Sequence, residues 1–292
     1  MSVAAMLGHL LLERVSLRDL ERVPEPTMAM DDPAQVEAFW ECGSTTGVLA
    51  STYLFNALQT AHVVRPGDKV LDLACGPANQ LVQLARLHPE AEFLGIDHAA
   101  SMIDRARETV ARSGVRNVSL QPGDMNALSG VADASVDCVS CTFSLHHLPD
   151  LASLLGAFRE AARVLKPGGG IYICDFGRLR RRSTQAYFAY ERRELQTDLF
   201  TQDFLNSLKA AFTLADLKKA AAPLGGGVGI HQTALAPFMV VLSRPTQAAA
   251  TAATIDRGMK MLSELSPRQQ RDFMNLSRWF RIAGLPLPFD LE

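Results

Sequence analysis

The stretch VLDLACGPANQ, residues 70–80, decides how this chain is read. Residues 70–74 are apolar apart from Asp72, the pattern of a strand buried on both faces. Small residues follow over 75–78, and a helical pattern begins near Asn79. A strand that passes through such a turn into a helix brings backbone N–H groups close to a ligand. The turn lacks the G-x-G-x-x-G spacing, so it suits a dinucleotide pyrophosphate poorly.

Outward from this stretch, related blocks recur in order. EFLGID ends at Asp97, VSLQPGDM carries Asp124, VDCVSCTFS runs into LHHLPD, and GIYICDF follows LKPGGG. Helical patterns over 79–88, 100–113 and 151–165 lie between them, with an irregular stretch at 125–133. Such alternation predicts an α/β fold, a parallel sheet with helices on both faces and ligands at the carboxyl ends of its strands. Past Phe176 the polar segment 177–200 breaks the pattern, and helices are expected over 201–211 and 214–222. Two closely spaced strands, 228–235 and 238–243, read as a hairpin.

Over residues 46–243 these ordered blocks resemble the class I S-adenosylmethionine (SAM) dependent methyltransferases, the small-molecule group that includes ubiquinone and menaquinone methyltransferases. The resemblance implies a Rossmann-like seven-stranded sheet of order 3-2-1-4-5-7-6 with the last strand antiparallel. It also implies methyl transfer from SAM to an O, N, C or S atom of a small molecule, in biosynthetic or secondary metabolism. Residue by residue, Asp97 would accept both ribose hydroxyls, and Asp124 the adenine amino group with Met125 against the ring. Met102 and Thr142 would line the cofactor pocket. Ala74 and Gly76 would let the backbone approach the methionine moiety, and Asp72 would hold that loop through its N–H groups. The family usually has glycine where this chain has Ala74 and Ala78, which narrows the turn. Asp97 and Asp124 also read locally, as a helix cap and a turn residue.

The sulfonium of SAM is an activated leaving group, so proximity and orientation supply much of the catalysis. A base is needed only where the acceptor carries a proton of high pKa. His146 and His147, just past the fourth strand, are the catalytic candidates; both read equally as structural or cofactor-pocket residues. Trp40, Tyr53, Arg178, Tyr187 and Tyr190 are candidates for the acceptor side, and Phe39 joins Trp40 and Tyr53 as a lid over the cofactor. Arg178, Arg180, Arg181 and Arg182 read either as a clamp for a carboxylate or phosphate or as a solvated loop paired with Glu191, Glu194 and Asp198. The tyrosines read either as an aromatic pocket or as packing. The block after the fourth strand is neither N-P-P-Y nor D-P-P-Y, which argues against exocyclic amines of nucleobases.

Residues 1–45 are expected to form an N-terminal helical lid, broken by Pro24, Pro26 and Pro33. The methyltransferase domain is expected over 46–244, opening with a helix at 45–64 and carrying a substrate-recognition insertion at 177–222. A C-terminal helical extension is expected over 245–292, with a linker at 245–254 and helices at 255–265 and 267–283, the second capped by Ser266. The terminal helices offer a contact for a homodimer. The 292 residues are 48% hydrophobic and 21% charged, as in ordinary globular proteins. With 29 basic and 31 acidic residues the net charge is −2, which argues against a broad nucleic-acid surface. The apolar run 3–12 is too short to span a bilayer, and no membrane partner is expected. Five scattered cysteines, Cys42, Cys75, Cys138, Cys141 and Cys174, suggest reduced thiols and a cytoplasmic setting. Cys138 and Cys141, three apart in a strand, face opposite ways and cannot share a metal; no metal is expected. Two other readings stand beside the small-molecule enzyme. One is an RNA-modifying methyltransferase with the arginines on phosphates; the other is a non-catalytic SAM-binding partner subunit.

Overall fold

A computed structural model describes residues 3–17, 20–26 and 30–290. The expectations for the N-terminal lid that touch residues 1, 2, 18, 19 and 27–29 lie outside the described residues, as do 291 and 292. Helices α1 (Val3–Val15), α2 (Pro33–Gly43) and α3 (Ala50–Gln59) precede the sheet. Alternation then runs through β1 (Lys69–Leu73), α4 (Asn79–Leu87), β2 (Glu92–Asp97), α5 (Ala100–Ser113), β3 (Val118–Pro122), β4 (Val136–Thr142), α6 (Leu151–Val164) and β5 (Leu165–Phe176). Helices α7 (Arg182–Tyr190), α8 (Asp198–Ala210) and α9 (Leu214–Ala221) lead to β6 (Gly229–Gln232) and β7 (Met239–Arg244). Helices α10 (Ala252–Glu264) and α11 (Pro267–Ile282) close the chain.

The seven strands lie in the order β3-β2-β1-β4-β5-β7-β6, with β7 antiparallel to both of its neighbours. This is the expected sheet. Side chains alternate along each strand, so the sheet feeds two apolar layers. Val70, Phe93, Cys138, Tyr172 and Val241 face the layer that holds α3 and α4. Leu71, Leu73, Val139, Cys141 and Ile173 face the layer that holds α6 and α9. Cys138 and Cys141 therefore sit on opposite sides of the sheet. Among the described residues no helix is long and apolar enough to cross a membrane.

Three elements depart from the sequence reading. The helix expected over 45–64 begins only at Ala50 and tightens into a 3-10 turn at Thr60–His62. Gly47 is the reason: Leu49 N–H donates to Cys42 O at 2.9 Å, and a Cβ on Gly47 would lie 2.2 Å from that same oxygen. The chain there folds back on the end of α2, so the helix cannot extend upstream. The fifth strand starts at Leu165, earlier than expected, because Leu165 pairs with Val136 and Gly170 with Cys138. The LKPGGG segment is thus a bulge within β5, with Gly168 at φ +73°. Third, residues 245–251 do not hang free, since Thr246 and Gln247 N–H both donate to His62 O. Helix α11 begins as read, with Ser266 and Gln269 forming a capping box and Pro267 in the first turn. Its Phe280 stacks on Phe55 of α3 at 5.0 Å and its Phe273 meets the same ring edge-on. The apolar stripes of the C-terminal helices thereby turn inward to the layer shared with α3 and α4.

Candidate functional site

A cleft opens where β1, β2 and β4 end, as parallel sheets dictate. Its floor is the 74–78 turn, where Ala74, Gly76 and Ala78 all take left-handed backbone, at φ 51°, 53° and 63°. Two alanines thus hold the conformation glycine adopts without penalty, each at a cost of about 1 kcal/mol or more. Asp97 locks the turn: its Oδ2 accepts from Gly76 N–H at 2.8 Å and its Oδ1 from Ala99 N–H at 2.9 Å. Burial raises the pKa of Asp97 while these two N–H bonds oppose the rise. The loop-holding role read for Asp72 therefore falls to Asp97. Asp72 sits opposite Ser140 in the β1–β4 register and accepts its hydroxyl at 2.6 Å, so its carboxylate faces the neighbouring strand instead of the turn. Burial pushes the Asp72 carboxyl up to about 7.

All the other cofactor candidates, Ala74, Gly76, Asp97, Met102, Asp124, Met125 and Thr142, line the cleft. Asp124 also accepts from Asn126 N–H at 2.8 Å, so its turn role and its place in the lining coexist. The residues present fit SAM. A buried carboxylate with spare lone pairs suits a ribose diol, two methionine side chains suit a purine, and the close backbone of the turn suits the amino-acid tail.

A second cavity of about 280 Å³ adjoins the cleft. Met30, Phe39, Tyr53, Phe143 and His147 line both. Phe143 holds φ 52°, a strained conformation at the seam between the two spaces. Phe176 sits 4.9 Å from Phe143, 5.3 Å from Phe204 and 5.9 Å from Phe238, giving this cavity an aromatic wall. The lining also carries Glu25, His146, His147 and Asp203, with the His146 ring 5.3 Å from Phe176. His146 is fully buried, with Nδ1 2.6 Å from Asp175 Oδ1 and its own N–H donating to Asp175 Oδ2. Burial lowers the His146 pKa, but the Asp175 charge prevails and the pKa rises. Glu25 pairs with His147 Nδ1 and accepts from Ser207 Oγ. Burial alone would raise the Glu25 carboxyl; the histidines and Ser207 bring it down to about 2. Burial and the Glu25 charge push Asp203 up to about 6.

Of the acceptor-side candidates, Tyr53 reaches both spaces, while Trp40, Arg178, Tyr187 and Tyr190 lie outside their linings. Trp40 turns to α5, donating to Thr109 Oγ1 with the Arg105 guanidinium 3.9 Å over its ring. Arg178 binds the carbonyls of Ala211 and Leu20, and Arg180 that of Ser16. Arg178 and Arg180 thus tie the N-terminal segment to the end of α8. Tyr187 stacks on His9 at 4.4 Å, and Tyr190 is exposed. The sequence reading missed Glu25, Asp175 and Asp203. Glu25 had a signal, an acid locked in extended backbone between Pro24 and Pro26. Asp175 lies next to the last residue of β5, much as Asp97 ends β2. Asp203 had none, being one of two acids on a half-exposed helix.

The Methyltransferase domain family matches residues 65–219, more than half of the chain, and the chain belongs to that family. Its sheet order is the one expected of the class I SAM-dependent methyltransferases. Over 139 residues it is 32% identical to 27-O-demethylrifamycin SV methyltransferase of Amycolatopsis mediterranei, covering 47% of this chain and 49% of that one. Over 113 residues it is 36% identical to a demethylmenaquinone methyltransferase of Listeria monocytogenes, covering 38% and 46% respectively. The chain spans about half the length of these curated relatives. A SAM dependent methyltransferase from Aquifex aeolicus shares the fold, with a TM-score of 0.52 at 19% identity over 73% of this chain and 97% of that one.

Proposed function

We propose that this enzyme methylates a small molecule with a flat apolar body and one polar, proton-bearing group, a phenol or enol being the best fit. The observation that carries this reading is the aromatic cavity of about 280 Å³ sharing Phe143 and His147 with the cofactor cleft. Its size is close to the lower end of small-ligand pockets. The relatives named for rifamycin and menaquinone chemistry accord with such an acceptor.

Asp97, Met102, Asp124 and Met125 would hold SAM, which supplies a methyl group on an activated sulfonium. Tyr53 and Phe143 exclude water at the seam. His147, tied to Glu25 through Nδ1, orients the acceptor's polar atom toward the cleft. Asp203, with its carboxyl near 6, is basic enough to take the acceptor's proton at neutral pH and still largely ionised there. The test is an S-adenosylhomocysteine release assay over phenols, enols, quinols, amines, carboxylates and transfer RNA. Turnover on flat hydroxylated rings is expected, with His147→Ala slowing it by about 10²-fold. Transfer confined to RNA overturns the reading.

A further inference from the structure

The lining of the aromatic cavity brings together three side chains from two distant segments. Glu25 comes from the strap 20–26, and His146 and His147 from the loop after β4. One carboxylate oxygen and one nitrogen from each imidazole all lie within 4.8 Å of one another. The tautomer of His146 follows from its surroundings. In the neutral imidazole Nδ1–H donates to Asp175 Oδ1 at 2.6 Å, which leaves Nε2 as the lone-pair nitrogen. Among the described residues this Nε2 makes no hydrogen bond, and it stands 4.0 Å from Glu25 Oε1. That distance is too long for a hydrogen bond. It is near the roughly 3.4 Å that separates two ligands of one tetrahedral ion with bonds of about 2.0–2.1 Å.

We propose that Glu25, His146 and His147 form a site for one divalent transition-metal ion of the zinc class, with its open coordination positions turned to the aromatic cavity. Two imidazoles and one carboxylate favour such an ion over magnesium or calcium, which prefer all-oxygen sets. Asp175 completes the arrangement, since a carboxylate on the far nitrogen of a ligating histidine fixes its tautomer and raises its basicity. The ion takes the place that the His147 Nδ1 contact with Glu25 now fills. It also gives His146 Nε2 the partner that the protein leaves out. The sequence reading expected no metal; Glu25 lies more than a hundred residues before the two adjacent histidines, so no ligand spacing joins the three. What fills the open positions rests on the proposed function, where the acceptor's oxygen enters this cavity; binding of the ion does not.

Chelator-treated full-length protein is titrated with Zn²⁺ by calorimetry and with Co²⁺ by visible absorption. One equivalent of Zn²⁺ is expected, together with Co²⁺ bands that Zn²⁺ abolishes. Glu25→Gln and His147→Ala should each weaken Zn²⁺ by more than tenfold, and Asp175→Asn by about 10–100-fold. Glu25→Gln conserves shape on a surface strap, so its melting temperature serves as the check on folding. Absence of a stoichiometric ion, or affinity unchanged in Glu25→Gln and His147→Ala, overturns the site. If no ion binds while phenols are methylated, the site fails and the proposed function stands. If the ion binds as described while only RNA is methylated, the site stands and the proposed function fails.

Discussion

Two carboxylates at the ends of β1 and β2 have opposite jobs, and substitution separates them. Asp97 lines the cleft and grips Gly76, so Asp97→Ala should weaken S-adenosylhomocysteine by about 2–3 kcal/mol, measured by calorimetry. Unchanged affinity in the folded variant would remove Asp97 from the cofactor site. Asp72 is a matter of stability. Its folded carboxyl, near 7, lies above the unfolded value of about 3.9. The folded form therefore holds its proton longer than the unfolded one. This stabilises the fold while both forms are protonated, below about pH 4, and the benefit is lost as pH rises toward 7. Asp72→Asn keeps a partner for Ser140 and cannot ionise. Its melting temperature should gain on the parent's progressively between pH 4 and 7 and stay ahead above that. A pH-independent difference would show that the Asp72 carboxyl titrates alike in the folded and unfolded chain. The positions of both residues are legible in the sequence, because an acid within an apolar run marks a strand buried on both faces. Their division of labour is not. It depends on which neighbour each side chain meets, and Ser140 enters only through the register of β1 on β4.

At the scale of elements, strands and helices with a strong period were readable, and boundaries set by tertiary contacts were not. The α4, α5 and α6 helices follow their apolar spacing, and α11 follows its capping box. The α3 helix begins late because Gly47 is pressed against the α2 end, a contact that leaves no trace in local periodicity. The same limit applies to α11, whose apolar stripe could equally have served a lid, a dimer or the core. The structure turns it onto α3, with Phe280 fully buried against Phe55. Phe280→Ala should accordingly cost about 3–5 kcal/mol of unfolding free energy in a denaturant titration. A cost under 1 kcal/mol would mean that α11 docks only weakly on the sheet layer.

For the molecule as a whole, the aromatic cavity takes Glu25 and Pro26 of its lining from the N-terminal strap, which is pinned to the loop after β4 and the end of α8. Arg22 is the pin. Its guanidinium donates to the carbonyls of Ala210, Pro149, His146 and Leu148 and lies 4.1 Å over the Phe212 ring. One side chain thus joins the strap, the end of α8 and the loop that presents both histidines. Glu25 follows three residues later, so its place against His147 depends on this clamp. The cofactor cleft is built mainly from the ends of β1, β2 and β4 and depends on it far less. Arg22→Ala should therefore lower kcat/KM for the acceptor by about tenfold or more, as loss of one or two charge-assisted hydrogen bonds implies. Affinity for S-adenosylhomocysteine should change much less. Arg22→Lys should resemble the alanine variant, because a single ammonium cannot span four carbonyls as the planar fork does. Limited proteolysis gives an independent readout, with faster cleavage within the strap of either variant. Equal losses in acceptor turnover and cofactor affinity would show that the strap supports the whole active site, and an unchanged kcat/KM would show that the acceptor cavity holds its shape without the clamp.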